Sequence, residues 1–483
     1  MNAAPHPADL CLRPLHEVAD LVRKREISPV ELTSATLTRI ERVAPQVNCY
    51  LSVAGDAAIS RAELLTAELA AGSYRGPLHG VPISLKDNIA TTDLATTAGS
   101  PGLADPHPTR AATVVRRLEA AGAVIIGKCH LYELAYGAHH HAYGEVHNPW
   151  NLGHACGGSS SGSAAALAAG LCFGSIGTDS GGSIRIPAAF CGVVGLKPTY
   201  GLVSRTGVLP VSATLDHVGP MARNVPDAAI LLKAIAEEAF TGADPADENR
   251  ETRNSGPHLE AGVAGLQLGV ARAQSSELID HEVQAAVAKA VSVFADEGAL
   301  LCAVDLPDLI QARTVMWIIT AVEAAEYHRH QLRTRPNDLH PLVRELLERG
   351  ETIPATEYVH AQRVRQVMIE QVRTALTRVD ALLLPATPIP AFAIGAQTAW
   401  IRDREEHIQP LMNRYTPLFD LTGQPALALP CGFSAQGLPI GLQVAARPFD
   451  DATVLRVARA YERATDWHRR SPELNQAPRR YGG

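Results

Sequence analysis

Two glycine-rich segments contain serines whose hydroxyl groups can attack a carbonyl carbon. Residues 157–163 read Gly-Gly-Ser-Ser-Ser-Gly-Ser, and residues 177–185 read Gly-Thr-Asp-Ser-Gly-Gly-Ser-Ile-Arg. In the second segment, Gly181 and Gly182 leave an open approach to Ser183 and place consecutive N–H groups beside it, as an oxyanion hole requires. The segment therefore indicates acyl-transfer chemistry with Ser183 as the nucleophile.

A serine hydroxyl is a weak nucleophile until a neighbouring base takes its proton. The usual base is a histidine, but only His154 lies near either serine segment in the sequence. Lys86 is an alternative base, because it ends the apolar run 81–85, which carries its ammonium group toward the interior. Desolvation there lowers the pKa of a lysine. The same pattern fits a strand end whose ammonium group reaches the solvent, so the pattern alone leaves the base undecided.

Three blocks, in this order along the chain, resemble the amidase signature hydrolases. They read VPISLKDN at 81–88, GGSSSGS at 157–163 and GTDSGGSIRIPAAFCG at 177–192, the last continuing into GLKPT at 195–199. The likeness extends to LPIGLQ at 438–443 and so covers most of the chain.

The resemblance implies roles for particular residues. It implies Ser183 as the nucleophile, Lys86 as the base, and Ser159 as a bridging serine that relays the proton between them and later to the leaving amine. A cis peptide bond is implied between Gly158 and Ser159. The implied oxyanion hole consists of four backbone N–H groups, those of Ser180, Gly181, Gly182 and Ser183. This machinery needs neither a metal nor a cofactor.

Further polar and aromatic residues lie near these blocks. Asp179 and Arg185 flank the nucleophile, and we interpret them as an ion pair that braces the loop, with direct substrate binding as the alternative. Tyr132 and Tyr136 stand at helical spacing and either pack in the core or contact the substrate. Residues 139–141 are three histidines, but adjacent side chains cannot all face one ion. They therefore predict a solvated loop or a pocket rim rather than a metal site.

Four other positions bear on the shape of a pocket. Two depart from the family pattern, namely Cys156, where a proline often stands, and Asp420, where an asparagine is frequent. Neither is part of the implied triad, but each can alter the pocket. Trp317 and Trp400 are candidates for lining an acyl or amine pocket, with core or surface positions as the alternative.

One motif points to a different serine. Residues 158–162 satisfy G-x-S-x-G, which in an α/β-hydrolase makes the central serine, Ser160, the nucleophile directly after a strand. The preceding residues 151–156 are not strand-like. We therefore reject Ser160 as the nucleophile.

Short apolar runs alternate with helical patterns along most of the chain. Seven runs are candidate buried strands, at residues 81–86, 123–129, 193–197, 266–271, 381–386, 426–432 and 439–446. Helical patterns cover 111–121, 163–169 and 280–296, and the second of two N-terminal helices opens at Ser28 with a capping box to Glu31. This alternation predicts an α/β fold.

The candidate strands lie at both ends of the chain around a helix-rich stretch, which favours one sheet over separate domains. The resemblance implies a single large domain over 1–483, with a mixed central β-sheet covered by helices on both faces. Within it we expect an N-terminal helical part at 1–75, a catalytic core at 76–230 and a helix-rich substrate-pocket region at 311–420.

Bulk composition excludes several classes of partner. The 483 residues carry a formal net charge of -7, with acidic and basic residues interspersed, which provides no basic surface for nucleic acid or anionic lipid. The eight cysteines include no C-x-x-C pair and fit reduced, buried thiols. No signal-peptide pattern and no run of about 18 apolar residues occurs. We therefore expect a cytoplasmic protein with a small-molecule partner, and the composition leaves a homodimer open.

These residues and the resemblance together predict a cofactor-free amidase that acts on linear amides of small molecules through an acyl-enzyme. Ester, carbamate or urea-type side activity is expected, because those carbonyl groups pass through the same tetrahedral geometry. Two alternatives stay open. One is the glutamine-hydrolysing A subunit of a tRNA-dependent amidotransferase, and the other is a catalytically silent binding protein on the same fold.

Overall fold

Apolar strands buried on both faces form the centre of the molecule. The computed structural model describes residues 10–103, 108–236, 259–271 and 278–474. Its strands are β1 (Tyr50–Val53), β2 (Pro82–Lys86), β3 (Val124–Cys129), β4 (His147–Asn148), β5 (Asn151–Ala155), β6 (Gly174–Asp179), β7 (Val194–Lys197), β8 (His217–Ala222), β9 (Gln267–Ala271), β10 (Leu300–Val304), β11 (Ala381–Pro385), β12 (Thr398–Ile401), β13 (Arg404–His407), β14 (Ala426–Phe433) and β15 (Pro439–Ala446). Every residue of β2, β6 and β15 is buried, as expected for strands covered on both faces.

Eleven of these strands form one mixed sheet in the order β1-β3-β2-β6-β8-β7-β14-β15-β11-β9-β10. The neighbours within β3-β2-β6 and within β11-β9-β10 are parallel, and the other neighbours are antiparallel. Strands from both ends of the chain therefore share one sheet. The predicted α/β fold, a single domain around a mixed central sheet, is confirmed.

Helices cover this sheet on both sides. They are α1 (Leu15–Arg23), α2 (Pro29–Val47), α3 (Gly55–Ala70), α4 (Thr113–Ala120), α5 (Ser161–Ala168), α6 (Arg185–Cys191), α7 (Val225–Ile235), α8 (His281–Asp296), α9 (Leu309–Tyr327), α10 (Arg329–Thr334), α11 (Pro341–Thr352), α12 (Ala355–Leu376), α13 (Ile408–Met412), α14 (Pro417–Thr422) and α15 (Asp451–Ala464). Alternate residues of a strand point to opposite faces. Along β3, Ile125 packs with a core that includes α1, α4, α7, α8 and α15, whereas Val124 and Ile126 belong to a core that includes α2, α3 and α5.

The N-terminal cap of α2 follows the sequence signal. The Ser28 hydroxyl accepts the Glu31 N–H at 3.1 Å, and the Glu31 carboxylate accepts the Ser28 N–H at 2.7 Å. Both donors at the helix start are thereby satisfied, which stabilises a helix by about 1 kcal/mol. The predicted capping box is confirmed.

The prediction that residues 151–156 contain no strand is wrong. Asn151–Ala155 forms β5, which pairs with β4 in a separate two-stranded ribbon and adds a single antiparallel bridge from His154 to Ala393. The segment is partly exposed and rich in polar residues, so its pairing depends on the β4 partner rather than on an apolar pattern. Among the described residues, no helix combines the length and the apolar character that crossing a membrane requires.

Candidate active site

Lys86, the last residue of β2, is completely enclosed by protein. Its Nζ lies 2.7 Å from Ser159 Oγ and 2.7 Å from Thr178 Oγ1, and 3.3 Å from the Thr178 carbonyl oxygen. Thr178 precedes the end of β6, which pairs with β2, so the sheet itself sets this geometry. The amine is therefore held against Ser159 by two neighbouring strands.

Burial lowers the pKa of the Lys86 ammonium from its usual 10.5 to about 7, although the negative charges of Asp179 and Asp216 oppose the change. Desolvation disfavours the charged form, and no carboxylate of the described residues is in direct contact to restore it. A substantial fraction of Lys86 is then neutral at physiological pH. A neutral amine at hydrogen-bond distance from a hydroxyl can accept a proton from it.

Ser159 sits on a backbone segment that touches Tyr132 and the nucleophile loop. The Gly158–Ser159 peptide bond is cis. A Cβ atom on Gly158 would lie 2.4 Å from the Tyr132 ring, so only glycine fits there. The next residue, Ser160, donates its N–H to the Ser183 carbonyl oxygen at 3.1 Å. The structure thus brings Lys86, Ser159 and Ser183 together, since Ser159 and Ser183 line the same cavity.

The loop that carries Ser183 is organised by the buried carboxylate of Asp179. Asp179 Oδ1 accepts the Gly182 N–H at 2.5 Å, and Oδ2 accepts the Ile184 N–H at 3.0 Å. The resemblance implies Gly182 as one of the oxyanion donors, but in this structure its N–H group is already bound to Asp179. The N–H groups of Gly181 and Ser183 have no protein acceptor within the described ranges.

Asp179 and Arg185 form a fully buried ion pair directly beside this loop. The guanidinium contacts Asp179 Oδ2 through Nε and Oδ1 through Nη2, each at 3.0 Å. Nη2 also lies 2.5 Å from Asp420 Oδ2, and Nη1 donates to Gln443 Oε1 at 2.8 Å. Burial acts to raise the pKa of Asp179, but the Arg185 charge outweighs it and holds that pKa below its usual range. The pair holds the loop from the protein interior, and neither Asp179 nor Arg185 lines the cavity.

Asp420 adds a second carboxylate to the same guanidinium. Burial raises its pKa well above the usual range, although Arg185 opposes the change. One arginine thus faces two carboxylates, and only Asp179 is strongly held in its charged form. Asp420, which stands where the family often has an asparagine, therefore contacts Arg185, the residue that braces the nucleophile loop.

Ser180 is held from the other side of the loop. Its hydroxyl donates to Asp216 Oδ1 at 2.5 Å, and the Asp216 carboxylate also accepts the N–H groups of Val211 and Ser212. Burial raises the pKa of Asp216 to about 6. No sequence pattern marks Asp216 as part of the site, because its contact with Ser180 spans 36 residues.

A cavity of about 480 Å³ opens above Ser159 and Ser183. Tyr132, Tyr136 and Trp317 line it, whereas Trp400 is 69% exposed on β12 and lies elsewhere. The Tyr136 hydroxyl is buried without a hydrogen-bond partner in the described part of the chain. The volume suits a small-molecule ligand, for which a few hundred cubic ångströms is typical.

The histidine run fits the predicted solvated loop only at His141, which is exposed, and it forms no pocket rim. His139 and His140 are buried, and none of the three histidines lines the cavity. His139 Nε2 lies 2.8 Å from Ser161 Oγ, and its Nδ1 lies 2.6 Å from a Glu145 carboxylate oxygen. This is the contact pattern of a Ser-His-Glu triad, which sequence distance concealed. Ser161 is fully buried away from the cavity, so the arrangement cannot reach a substrate.

Ser160, the serine favoured by the G-x-S-x-G pattern, is also inaccessible. Its hydroxyl donates to the Thr178 carbonyl oxygen at 3.2 Å, and its side chain is fully buried. Although a strand does precede this motif, the hydroxyl is committed to a structural hydrogen bond. The rejection of Ser160 therefore rests on burial and not on the absence of a strand.

Comparisons with known proteins agree on one family. The sequence model described as Amidase matches residues 31–455. An amidase of Pseudomonas putida is 40% identical over 465 residues, covering 95% of this chain and 97% of that protein. The A subunit of glutamyl-tRNA(Gln) amidotransferase from Myxococcus xanthus (strain DK1622) is 41% identical over 484 residues, covering 95% of this chain and 98% of that protein. A crystal structure of an amidase superposes with a TM-score of 0.85 at 34% identity, covering 94% of this chain and 99% of that one.

Proposed function

Because this chain belongs to the amidase family, we propose that it hydrolyses the carbon–nitrogen bond of small-molecule amides through an acyl-enzyme on Ser183. The observation that carries the proposal is the 2.7 Å contact between Lys86 Nζ and Ser159 Oγ, beside the cavity that Ser159 and Ser183 line. A nucleophile candidate, a relay hydroxyl and a neutral amine base are then adjacent in one site.

The proposed first step forms the acyl-enzyme. Neutral Lys86 takes the Ser159 proton while Ser159 takes the Ser183 proton, and Ser183 Oγ adds to the amide carbonyl. The N–H groups of Ser180, Gly181 and Ser183 stabilise the resulting oxyanion. The same relay then returns a proton to the amine nitrogen, and the carbon–nitrogen bond breaks.

The second step releases the acid. Water adds to the ester on Ser183 and gives its proton to the relay of Ser159 and Lys86. The tetrahedral intermediate collapses with return of a proton to Ser183 Oγ, which regenerates the free serine. Esters and carbamates pass through the same kind of intermediates, so the proposal includes hydrolysis of these compounds at the same site.

The test combines covalent labelling with turnover. A fluorophosphonate should label the wild-type protein, and Ser183→Ala should lose both labelling and hydrolysis of a panel of aliphatic amides, aryl amides, carbamates and esters. Unchanged amide turnover in Ser183→Ala would overturn the mechanism. Absence of labelling and turnover in the wild type would favour a catalytically silent binding protein.

A second candidate is the glutamine-hydrolysing A subunit of a tRNA-dependent amidotransferase. The full-length similarity to the Myxococcus xanthus protein supports it. Against it stands the cavity lining, where the residues that the structure describes include no carboxylate side chain to accept the α-ammonium of glutamine. Glutamine hydrolysis at a rate above that of simple aliphatic amides, together with a copurifying partner chain, would favour the second candidate.

A further inference from the structure

One face of α9 forms a wall of the candidate cavity. Arg313, Met316, Trp317 and Thr320 all line it, and their spacing of three, four and seven residues places them on a single stripe of the helix. A Cβ atom on Gly181 would lie 3.0 Å from Met316 Cε, so this stripe contacts the nucleophile loop directly. Arg313 therefore stands about 4.5 Å further along the helix axis, roughly one turn from that loop.

Arg313 has no acidic partner among the residues that the structure describes. In the ranges that the structure describes, its guanidinium forms no ion pair, and none of the residues lining the cavity carries a carboxylate. Burial lowers the pKa of Arg313, and the nearby positive charge of Arg414 lowers it further. The Nε atom of Arg414 is buried without a hydrogen-bond partner among the same residues. The unpaired guanidinium of Arg313 thus lies in the cavity wall, and Arg414, which does not line the cavity, adds a nearby positive charge.

Arg349 shows how a second arginine of the same wall differs. It lines the cavity from α11, but it forms an ion pair with Glu345 at 2.6 Å on the exposed side of its own helix. Its charge is already balanced, whereas that of Arg313 is not. A partly buried guanidinium with no ion-pair partner in the described residues is available to bind an anionic ligand.

We propose that Arg313 binds an anionic group of the substrate, so that the enzyme prefers amides that carry a carboxylate about one helical turn from the scissile carbonyl. This inference rests on the proposed function and adds the substrate class. Side chains such as Met316, Trp317 and Leu346 line the cavity and favour a short hydrocarbon spacer. Cationic amides are disfavoured, since the lining offers no acidic partner for them.

Matched small amides test this preference. Glutaramic acid places a carboxylate about 5 Å from its amide carbon, while glutaramide is its neutral counterpart and δ-aminovaleramide its cationic counterpart. For the wild type we expect kcat/KM to fall in that order, with the anionic amide at least about 10-fold above the neutral one. N-butanoylglycine and N-propylbutanamide form a second pair that places the carboxylate on the amine side of the bond.

Variants of Arg313 identify the group responsible. Arg313→Met should lower kcat/KM for the anionic amide about 10- to 100-fold, mainly through KM, and leave the neutral amide within about 3-fold. Arg313→Lys should restore part of the preference, and Arg313→Glu should reverse it toward the cationic amide. Arg344→Met removes the same charge from α11 outside the cavity and controls for long-range electrostatics.

Labelling separates failure of this inference from failure of the proposed function. Two alkyl fluorophosphonates, one ending in a carboxylate and one in its methyl ester, should label the wild type at rates that differ at least about 10-fold, and Arg313→Met should equalise them. Equal labelling and equal turnover of all charge classes in the wild type would overturn the anionic preference while leaving the amidase intact. Absence of any labelling would instead overturn the proposed function.

Discussion

Lys86 Nζ lies 2.7 Å from Ser159 Oγ, and neither side chain is more than 3% exposed. The contact is therefore largely shielded from solvent. The hydrogen-bond partners of the amine in the described residues are the hydroxyl and carbonyl oxygens of Thr178 and the Ser159 hydroxyl, which we propose as the proton relay. Its protonation state then controls whether the site can accept a proton at all.

The pH dependence of turnover should follow Lys86. Because burial lowers its pKa to about 7, the amine is protonated and inactive as a base below that pH and becomes neutral as pH rises through it. We expect kcat/KM for a neutral amide to rise about 10-fold per pH unit below 7 and to level off above it. A pH profile from 5 to 9 measures this. Lys86→Met should lower the rate by at least about 10²-fold and remove the rise, and an unchanged profile would exclude Lys86 as the base.

Adjacent serines provide a matched pair for the relay. Ser159→Ala removes the hydroxyl next to Lys86 and should lower kcat by about 10²–10⁴-fold. Ser160→Ala removes a hydroxyl that donates to the Thr178 carbonyl oxygen and accepts the Thr178 N–H, so it should cost about 1 kcal/mol of stability with kcat within about 5-fold of the wild type. Steady-state kinetics and urea unfolding distinguish the two. The opposite ranking would assign the relay to Ser160.

The two carboxylates on Arg185 should differ in importance. Asp179→Asn removes the main counterion and weakens the acceptors of the Gly182 and Ile184 N–H groups, so a loss of about 3–5 kcal/mol and a large fall in kcat are expected. Asp420→Asn keeps an oxygen for Arg185 and should change stability by less than about 1 kcal/mol at pH 5.

The pH dependence of the unfolding free energy tests separately whether Asp420 is protonated in the folded protein. A carboxyl whose folded pKa is raised binds more protons in the folded state, so its contribution to stability falls as pH rises from about 4 toward the folded pKa. Asp420→Asn removes this fall. Its stability relative to the wild type should therefore increase from pH 4 to pH 8 in urea titrations, and a constant difference would show that Asp420 stays ionised throughout.

Gly182 should tolerate no side chain. Its φ is +129°, and a Cβ atom would lie 2.3 Å from Thr416 Oγ1 and 2.6 Å from Ile186 Cδ1. Gly437 also has a positive φ, +75°, but open space around it, so Gly437→Ala measures the backbone strain alone, about 1–2 kcal/mol. Gly182→Ala should cost about 1–3 kcal/mol more and remove most activity. Equal unfolding free energies for the two variants would contradict the close packing of this loop.

Much of the sheet could be predicted from the sequence because burial on both faces requires continuous apolar runs. All seven runs proposed as strands are strands, within one or two residues at each end. β6 was not predicted, since Gly174–Asp179 is rich in glycine and polar residues. Its composition does not favour a strand, and its pairing with β2 and β8 stabilises the extended conformation. Tertiary context, not local preference, makes this segment a strand.

The candidate site also contains residues that the sequence predicts and residues that only the structure shows. Lys86, Ser159 and Ser183 lie in continuous blocks of sequence, so a family pattern can point to them. The contacts of Asp216 with Ser180 and of His139 with Ser161 cross 36 and 22 residues, and no local spacing encodes them. The sequence does not predict the role of Arg313 either. Arginine is common on helices, and only the structure shows that no described acidic residue pairs with this one.

The contact between Arg185 and Gln443 also has a consequence for biosynthesis. The nucleophile loop emerges from the ribosome early, but the side chain that completes the Arg185 hydrogen bonds is translated 258 residues later. A chain that ends before residue 443 retains the local Asp179–Arg185 pair but lacks this Gln443 contact. Full bracing of the loop by Arg185 therefore becomes possible only after residue 443 has been translated.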